Sequence, residues 1–195
     1  MPPPTTLTTP RLLLRPWAEA DRAPFAVMNA DPDVAAFLPN PLSRQESDRL
    51  IEAIERQFRL HGLGLWAVEE TESGQLVGTV GLLVPGFIAH FTSPSRPAVE
   101  VAWRLGRPYW GKGYATEAAR AALAFGFTEK SLGEIVSFTH PDNLRSIAVM
   151  ERLGMTRDMD GDFEHPFLPA GHRLRPHVLY RLGLEAWRTQ NQKIS

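Results

Sequence analysis

The chain has 195 residues, 43% of them hydrophobic and 22% charged, with a formal net charge of −1 at pH 7. Those proportions fit a globular domain long enough to bury a sizeable core, and the near-zero charge gives nucleic acid no electrostatic footing. There is no cysteine, which excludes disulfides, thiolate metal sites and a cysteine nucleophile.

Residues 2–10 lack a basic segment and an apolar run, so no signal peptide is expected. No apolar stretch approaches the ~20 residues of a membrane span. A soluble cytoplasmic protein without membrane or nucleic-acid partners is the expectation.

Arg11 to Trp17, with Leu12, Leu13 and Leu14 in a row, reads as a first strand ended by Pro16. Asp21 is placed to cap a short helix over 22–29. Ser43 with Glu46 three residues on is a capping box. It opens a helix over 44–60 whose Leu50, Ile51, Ile54 and Phe58 repeat with a 3.6-residue period. Residues 65–69 and 75–84 read as strands joined by a turn at Glu72, Ser73 and Gly74. Residues 85–98 are a loop.

Val99, Val101, Trp103 and Leu105 alternate on one face of a strand over 99–105, which leaves Glu100 on the other. An alanine-rich helix over 113–127 follows. Residues 135–139 form a short strand, and Asp142 or Asn143 caps a helix with Ile147, Met150 and Leu153 inward, stopped by Gly154. A strand over 155–159, a loop over 160–173 and a closing strand over 177–182 complete the chain. One domain over 8–184 is expected, with residues 1–7 and 185–195 loosely packed.

The stretch between the strand over 99–105 and the following helix holds the strongest signal. Gly111 and Gly113 lack a Cβ and let the backbone approach a partner closely. The helix start then offers unpaired N–H groups and the positive end of the helix dipole. Such a turn is a phosphate site. Residues 106–113 read Gly-x-x-x-x-Gly-Lys-Gly, one residue short of the nucleotide-binding Walker pattern. Gly113 stands where a hydroxyl would hold Mg²⁺, and no strand ends in a suitable aspartate, both of which count against a P-loop nucleotide-binding protein.

Residues 110–115 resemble instead the pyrophosphate motif Gln/Arg-x-x-Gly-x-Gly/Ala of the GNAT acetyltransferase superfamily, with Gly113 and Ala115 in register and Trp110 replacing the usual Gln or Arg. The run from Tyr109 to Ala118 is similar to the RimJ/RimL branch, the ribosomal-protein N-terminal acetyltransferases. Asn143 with Ser146, and the run from Met150 to Met155, resemble the second motif of the superfamily. Thr9 to Trp17 resembles the first strand of that branch.

The resemblance implies an α+β GNAT fold with α/β three-layer architecture. Its mixed, mostly antiparallel sheet would have about six to seven strands, flanked by about four helices and splayed between the fourth and fifth strands. It implies direct transfer of an acetyl group from acetyl-CoA to a primary amine, with no covalent enzyme intermediate and no metal. The acceptor would be a small molecule or a protein N-terminus, and a homodimer is plausible. A non-catalytic acyl-CoA-binding domain on the same fold is the alternative.

Cofactor contacts are expected from Trp103, Arg104 and Leu105 along the strand edge, and from Trp110, Gly111, Lys112, Gly113, Tyr114, Ala115 and Thr116. Asn143 and Ser146 complete the set. Lys112 either faces phosphate or is a solvated turn lysine, and Trp110 either touches cofactor or packs beneath the loop. Ser146 is the expected proton donor to the leaving thiolate and Glu100 the expected general base, with Glu164 and His165 as rivals. Asp158, Asp160, Asp162 and Glu164 alternate as a solvated acidic turn rather than a calcium loop, because Gly161 falls before the third acid. An α-amine, roughly a tenth neutral at pH 7, demands less of a base than lysine, neutral in about one molecule per few thousand.

Overall fold

The structure, a computed structural model, describes residues 5–192. Its strands are β1 (Leu7–Thr8), β2 (Leu12–Arg15), β3 (Leu65–Glu70), β4 (Leu76–Leu83), β5 (Glu100–Leu105), β6 (Glu134–Thr139), β7 (Thr156–Glu164) and β8 (Pro176–Gly183). They form one mixed sheet in the order β1-β2-β3-β4-β5-β6-β8-β7. Five helices accompany it: α1 (Arg22–Ala30), α2 (Arg44–His61), α3 (Tyr114–Thr128), α4 (Leu144–Arg152) and α5 (Leu184–Gln192). The fold is the expected mixed α+β one, with one more strand and one more helix than the sequence suggested.

Two compact units divide the chain. One runs through Leu83 and adds Ala102–Ala122; the other holds Val84–Val101 and everything from Leu123. In the first, β1 to β4 pair antiparallel in sequence order. A Cβ on Gly78 would fall 2.3 Å from the Arg104 carbonyl oxygen, so β4 and β5 approach closely only because that position is glycine.

The capping box at the start of α2 forms as expected: the Ser43 hydroxyl accepts from the Glu46 N–H, and the Glu46 carboxylate accepts from the Ser43 N–H. Gly62, with φ of 63°, ends the helix in the left-handed conformation. Ile51 from α2 packs with Phe25 and Met28 of α1, and the Trp17 ring lies tilted against Phe25 with centroids 4.6 Å apart. Asp21 does not cap α1 with its side chain. Its carboxylate accepts two bonds from Arg15, at 2.7 and 2.8 Å, and one from the Ala18 N–H. A guanidinium outcompetes a backbone amide because charge-assisted paired bonds are stronger.

In the second unit, β6 pairs antiparallel with β8 and β8 with β7. β5 and β6 run parallel and share one register pair, Glu100 opposite Val136, where the Val136 N–H donates to the Val99 carbonyl. Residues 160–164, expected as loop, belong to β7. Three of its acids are engaged: Asp158 accepts from Arg181, Asp162 from Arg157, and Glu164 lies 2.9 Å from Arg175. Residues 185–192, expected to be loosely packed, form α5. Its Trp187 ring lies 5.1 Å from Phe127, and its Gln190 amide donates to the Gly154 carbonyl. Residues 1–4 and 193–195 of the expected termini lie outside the described residues.

Candidate active site

In the first unit, β5 leads through Gly106 and a short 3-10 turn, Arg107–Tyr109, into the glycine stretch and α3. Gly111 and Gly113 have φ of 75° and 82°. Alternating left-handed residues turn successive N–H groups to one side, which makes an anion nest. Among the described residues, no backbone N–H from Gly111 to Thr116 donates to a protein acceptor; the first bond of the helix runs from the Glu117 N–H to the Gly113 carbonyl. Nothing lies within 4 Å of a Cβ built on Gly111. That glycine therefore serves the backbone conformation and not a close approach to protein. Six consecutive donors at the positive end of a 15-residue helix form a cradle for a phosphate group.

Arg11, which sequence reasoning did not single out, fixes this loop. It donates to Glu117 in the first turn of α3 at 2.7 Å and to the Lys112 carbonyl at 3.0 Å, with its guanidinium carbon 4.7 Å above the Tyr114 ring. Thr9 adds a bond to Glu117 at 2.7 Å. The Thr9 to Trp17 run contained both residues, but only the fold shows that Glu117 receives them.

Trp110 packs beneath the loop, its indole N–H donating to the Leu105 carbonyl at 2.8 Å. The Lys112 ammonium sits 5.3 Å from the Tyr109 ring and 5.8 Å from that of Tyr114. The Tyr114 hydroxyl donates to Glu70, whose carboxyl is lowered below its ordinary range first by the Ser73 hydroxyl and then by that of Tyr114. Ala115 is half-buried and Thr116 buried.

On β5, Trp103 is half-buried and Leu105 buried. Arg104 has no carboxylate partner among the described residues. Its guanidinium donates to the Asn29 side-chain oxygen at 2.8 Å, and the Asn29 amide donates to Ser47 at 2.9 Å. Burial pulls the Arg104 guanidinium down to about 10.

In the second unit, Asn143 does more than cap α4. Its carbonyl oxygen accepts from the Ser146 N–H, while its amide donates to the Ser146 hydroxyl at 3.0 Å and to Thr139 at 2.9 Å. The Ser146 oxygen is thus used as an acceptor, and its own proton remains available to donate.

Glu100 is half-buried, and its carboxylate has no hydrogen-bond or ion-pair partner among the described residues. Burial alone pushes it up to about 8. Its rivals are more engaged. Glu164 is exposed and beside Arg175. His165 accepts the Phe167 N–H at Nδ1, which puts its proton on Nε2, and burial lowers its pKa.

The first unit thus carries a glycine cradle for a phosphate group, and the second a capped serine and a half-buried carboxylate without a partner among the described residues. The chain belongs to the acetyltransferase (GNAT) domain family, whose match covers residues 11–156. It is 33% identical over 152 residues to the uncharacterized protein YkkB of Bacillus subtilis, covering 77% of this chain and 85% of that one. To the uncharacterized N-acetyltransferase YnaD of the same organism it is 26% identical over 181 residues, 93% of this chain and 98% of that one. A solved acetyltransferase of Agrobacterium tumefaciens superposes with a TM-score of 0.72 at 29% identity, covering 91% of this chain and 94% of that one. These likenesses set aside the P-loop reading. The protein is an acetyl-CoA-dependent N-acetyltransferase. Among the described residues, no helix is long and apolar enough to cross a membrane.

Proposed function

We propose that the enzyme transfers an acetyl group from acetyl-CoA directly to a primary amine, and that the acceptor is an α-amine such as a protein N-terminus, as in the RimJ/RimL branch. The row of N–H groups from Gly111 to Thr116 without protein acceptors carries the reading. It offers a pyrophosphate several converging donors without a metal, and Arg11 and Lys112 add positive charge beside it. Acetyl-CoA, when bound, supplies a thioester-activated acetyl group. Trp103, Arg104 and Leu105 are the proposed line for its amide-rich arm, with Asn143 holding α4 for the same purpose.

Two proton tasks fall to this chain. Glu100 takes the proton of the attacking amine, directly or through water, because its carboxylate is engaged by no other group among the described residues. Ser146 gives a proton to the departing thiolate, oriented by the Asn143 amide. A carboxyl held near 8 matches an α-ammonium at ~7.8 and is a poor match for lysine at ~10.4. That match favours an α-amine and a catalytic role over simple acyl-CoA sensing.

The test is calorimetric titration with CoA followed by thiol release from acetyl-CoA over a panel of amines. Micromolar CoA binding and release that depends on the amine are expected. No CoA binding at millimolar concentration, or thiol release independent of every amine, would overturn the proposal.

A further inference from the structure

The second unit carries a set of aromatic rings that the proton chemistry does not use. Phe87, from the loop after β4, is its centre. Its ring centroid lies 4.9 Å from His165, 5.7 Å from Phe138 and 6.0 Å from Phe163. Phe163 in turn lies 5.0 Å from Phe91 and 5.5 Å from His177. Rings assembled this densely normally fill a core. Here none is fully buried: each of these six is half-buried. Phe167, 5.8 Å from Phe87, is 67% exposed, and Ile88, next to Phe87 in the chain, is 68% exposed. An open aromatic surface of this kind marks a binding face.

Register shows what shares that face. Glu100 stands opposite Val136 in the parallel pair, Phe138 lies two residues on, Phe138 stands opposite Leu179, and His177, two residues back, stands opposite Phe163. Side chains alternate along strands and paired residues point the same way. Glu100, Phe138, His177 and Phe163 therefore project from one face of the sheet within this unit.

The charge on the face is equally specific. Glu164 and Asp162 at its margin are engaged by Arg175 and Arg157, and burial holds His177 and His165 below their ordinary range. The same register puts Glu134, Arg181 and Asp158 on this face, but Arg181 is bonded to both acids; among these groups Glu100 is the carboxylate left to meet an ammonium, and the others are neutral rings. Phe163 and His177 also line a cleft of about 190 Å³, smaller than the roughly 300–1,000 Å³ of a drug-sized pocket and suited to one side chain.

We infer that this face receives an acceptor whose amine is flanked by an aromatic or large aliphatic side chain, the amine toward Glu100 and the side chain among Phe87, Phe138 and Phe163. The inference rests on the acetyltransferase reading for its catalytic consequence but not for binding. Burying one such side chain favours it over a small one by about tenfold or more, and a cationic amine gains further from the ring faces.

The experiment has two arms on the full chain. In the first, phenethylamine, isoamylamine and ethylamine are titrated in the presence of CoA, with binding followed by NMR. Phenethylamine and isoamylamine should bind at least tenfold more tightly than ethylamine, and Phe87→Ala should bring the ratio to within about threefold. In the second arm, thiol release is compared for phenylalaninamide, leucinamide, glycinamide and a short peptide with N-terminal Phe. The first two should exceed glycinamide by at least tenfold in kcat/KM, and the peptide arm separates free amines from protein N-termini.

Equal binding of the three simple amines overturns the inference even if acetyl transfer is robust. A binding preference that persists while no amine is acetylated sinks the catalytic reading and leaves the aromatic site standing. If Phe87→Ala and Phe167→Ala dissociate a dimer and leave the binding ratio unchanged, the face belongs to a second copy of the chain and the inference fails.

Discussion

Replacing Glu100 by Gln should make the protein more stable at alkaline pH and nearly inactive. Burial moves the carboxyl from its ordinary 4.5 to about 8, so ionising it in the folded state is unfavourable. The sign follows from linkage. A group whose folded value lies above its unfolded one leaves stability intact below 4.5 and erodes it as pH rises, until it is ionised in both states above 8. The shift of about 3.5 units corresponds to an upper bound of about 5 kcal/mol. Water reaching the half-buried carboxylate reduces this to roughly 2–4 kcal/mol. For a chain of this size, about 1 kcal/mol moves Tm by roughly 2–4 °C. Glu100→Gln should therefore melt close to wild type at pH 5, where the two side chains are isosteric and neutral, and roughly 5–15 °C higher at pH 9. Thermal melts followed by circular dichroism at both pH values measure the difference. In parallel, kcat/KM of the wild type should climb about tenfold between pH 7 and 9 for an acceptor already neutral, because only about a tenth of Glu100 is ionised at pH 7. A melting difference that is the same at pH 5 and 9, or a variant within threefold of wild-type turnover, would refute the assignment of Glu100 as a strained, working base.

The cofactor loop and the serine give two further tests. Gly113→Ala forces a side chain into φ of 82° with its Cβ 3.5 Å from Arg11, and should weaken CoA binding about tenfold through roughly 1–2 kcal/mol of backbone strain; calorimetric affinity equal to wild type would show that the N–H row is not the phosphate site. Ser146→Ala removes the proposed proton donor but not the Asn143 cap, so kcat should fall about ten- to a hundredfold with CoA affinity within threefold, whereas parallel losses in both would mark Ser146 as a binding residue.

Much of the fold was legible wherever local chemistry and tertiary structure agree. The Ser43–Glu46 box and Gly62 delimited α2 because capping is satisfied within a few residues of chain. The glycine turn before α3 could be recognised because a left-handed backbone requires glycine locally. β7 was cut short for the opposite reason. Its alternating acids read as solvated turn, and the arginines that neutralise Asp158 and Glu164 come from positions 181 and 175, far outside any local window. Asp21 had the right place for a cap and was claimed by Arg15. α5 has little apolar content beyond Trp187, so its docking on Phe127 left no periodic signal. In the site, residue type and motif were enough to nominate Glu100 and Ser146. What gives them their character, burial without a partner in one case and an amide donating to the hydroxyl in the other, is set by neighbours that spacing along the chain does not reveal. The aromatic face was invisible for the same reason, since its rings come from the 87–91 loop and three separated strands.

The unfavourable burial of Glu100 and the choice of acceptor are two consequences of one arrangement. A carboxyl at its ordinary 4.5 would be ionised at pH 7 but too weak a base for any ammonium: accepting a proton from an α-amine at ~7.8 would run uphill by about 3.3 units, roughly 4.5 kcal/mol. Raised to about 8, the same group exchanges that proton almost without cost, while a lysine at ~10.4 still lies about 2.4 units, or roughly 3.3 kcal/mol, out of reach. The price is stability, because among the described residues no arginine or backbone amide compensates the carboxylate. Asp158, Asp162 and Glu164 are met by arginines, whereas Glu100, on the face that carries the aromatic rings, has no such partner among the described residues. A purely structural carboxylate would gain from a partner there; a base that must receive a proton from the substrate would be disabled by one, since a fixed cation would pull its pKa back toward the ordinary range. The absence of such a partner is thus what the proposed chemistry requires of this position.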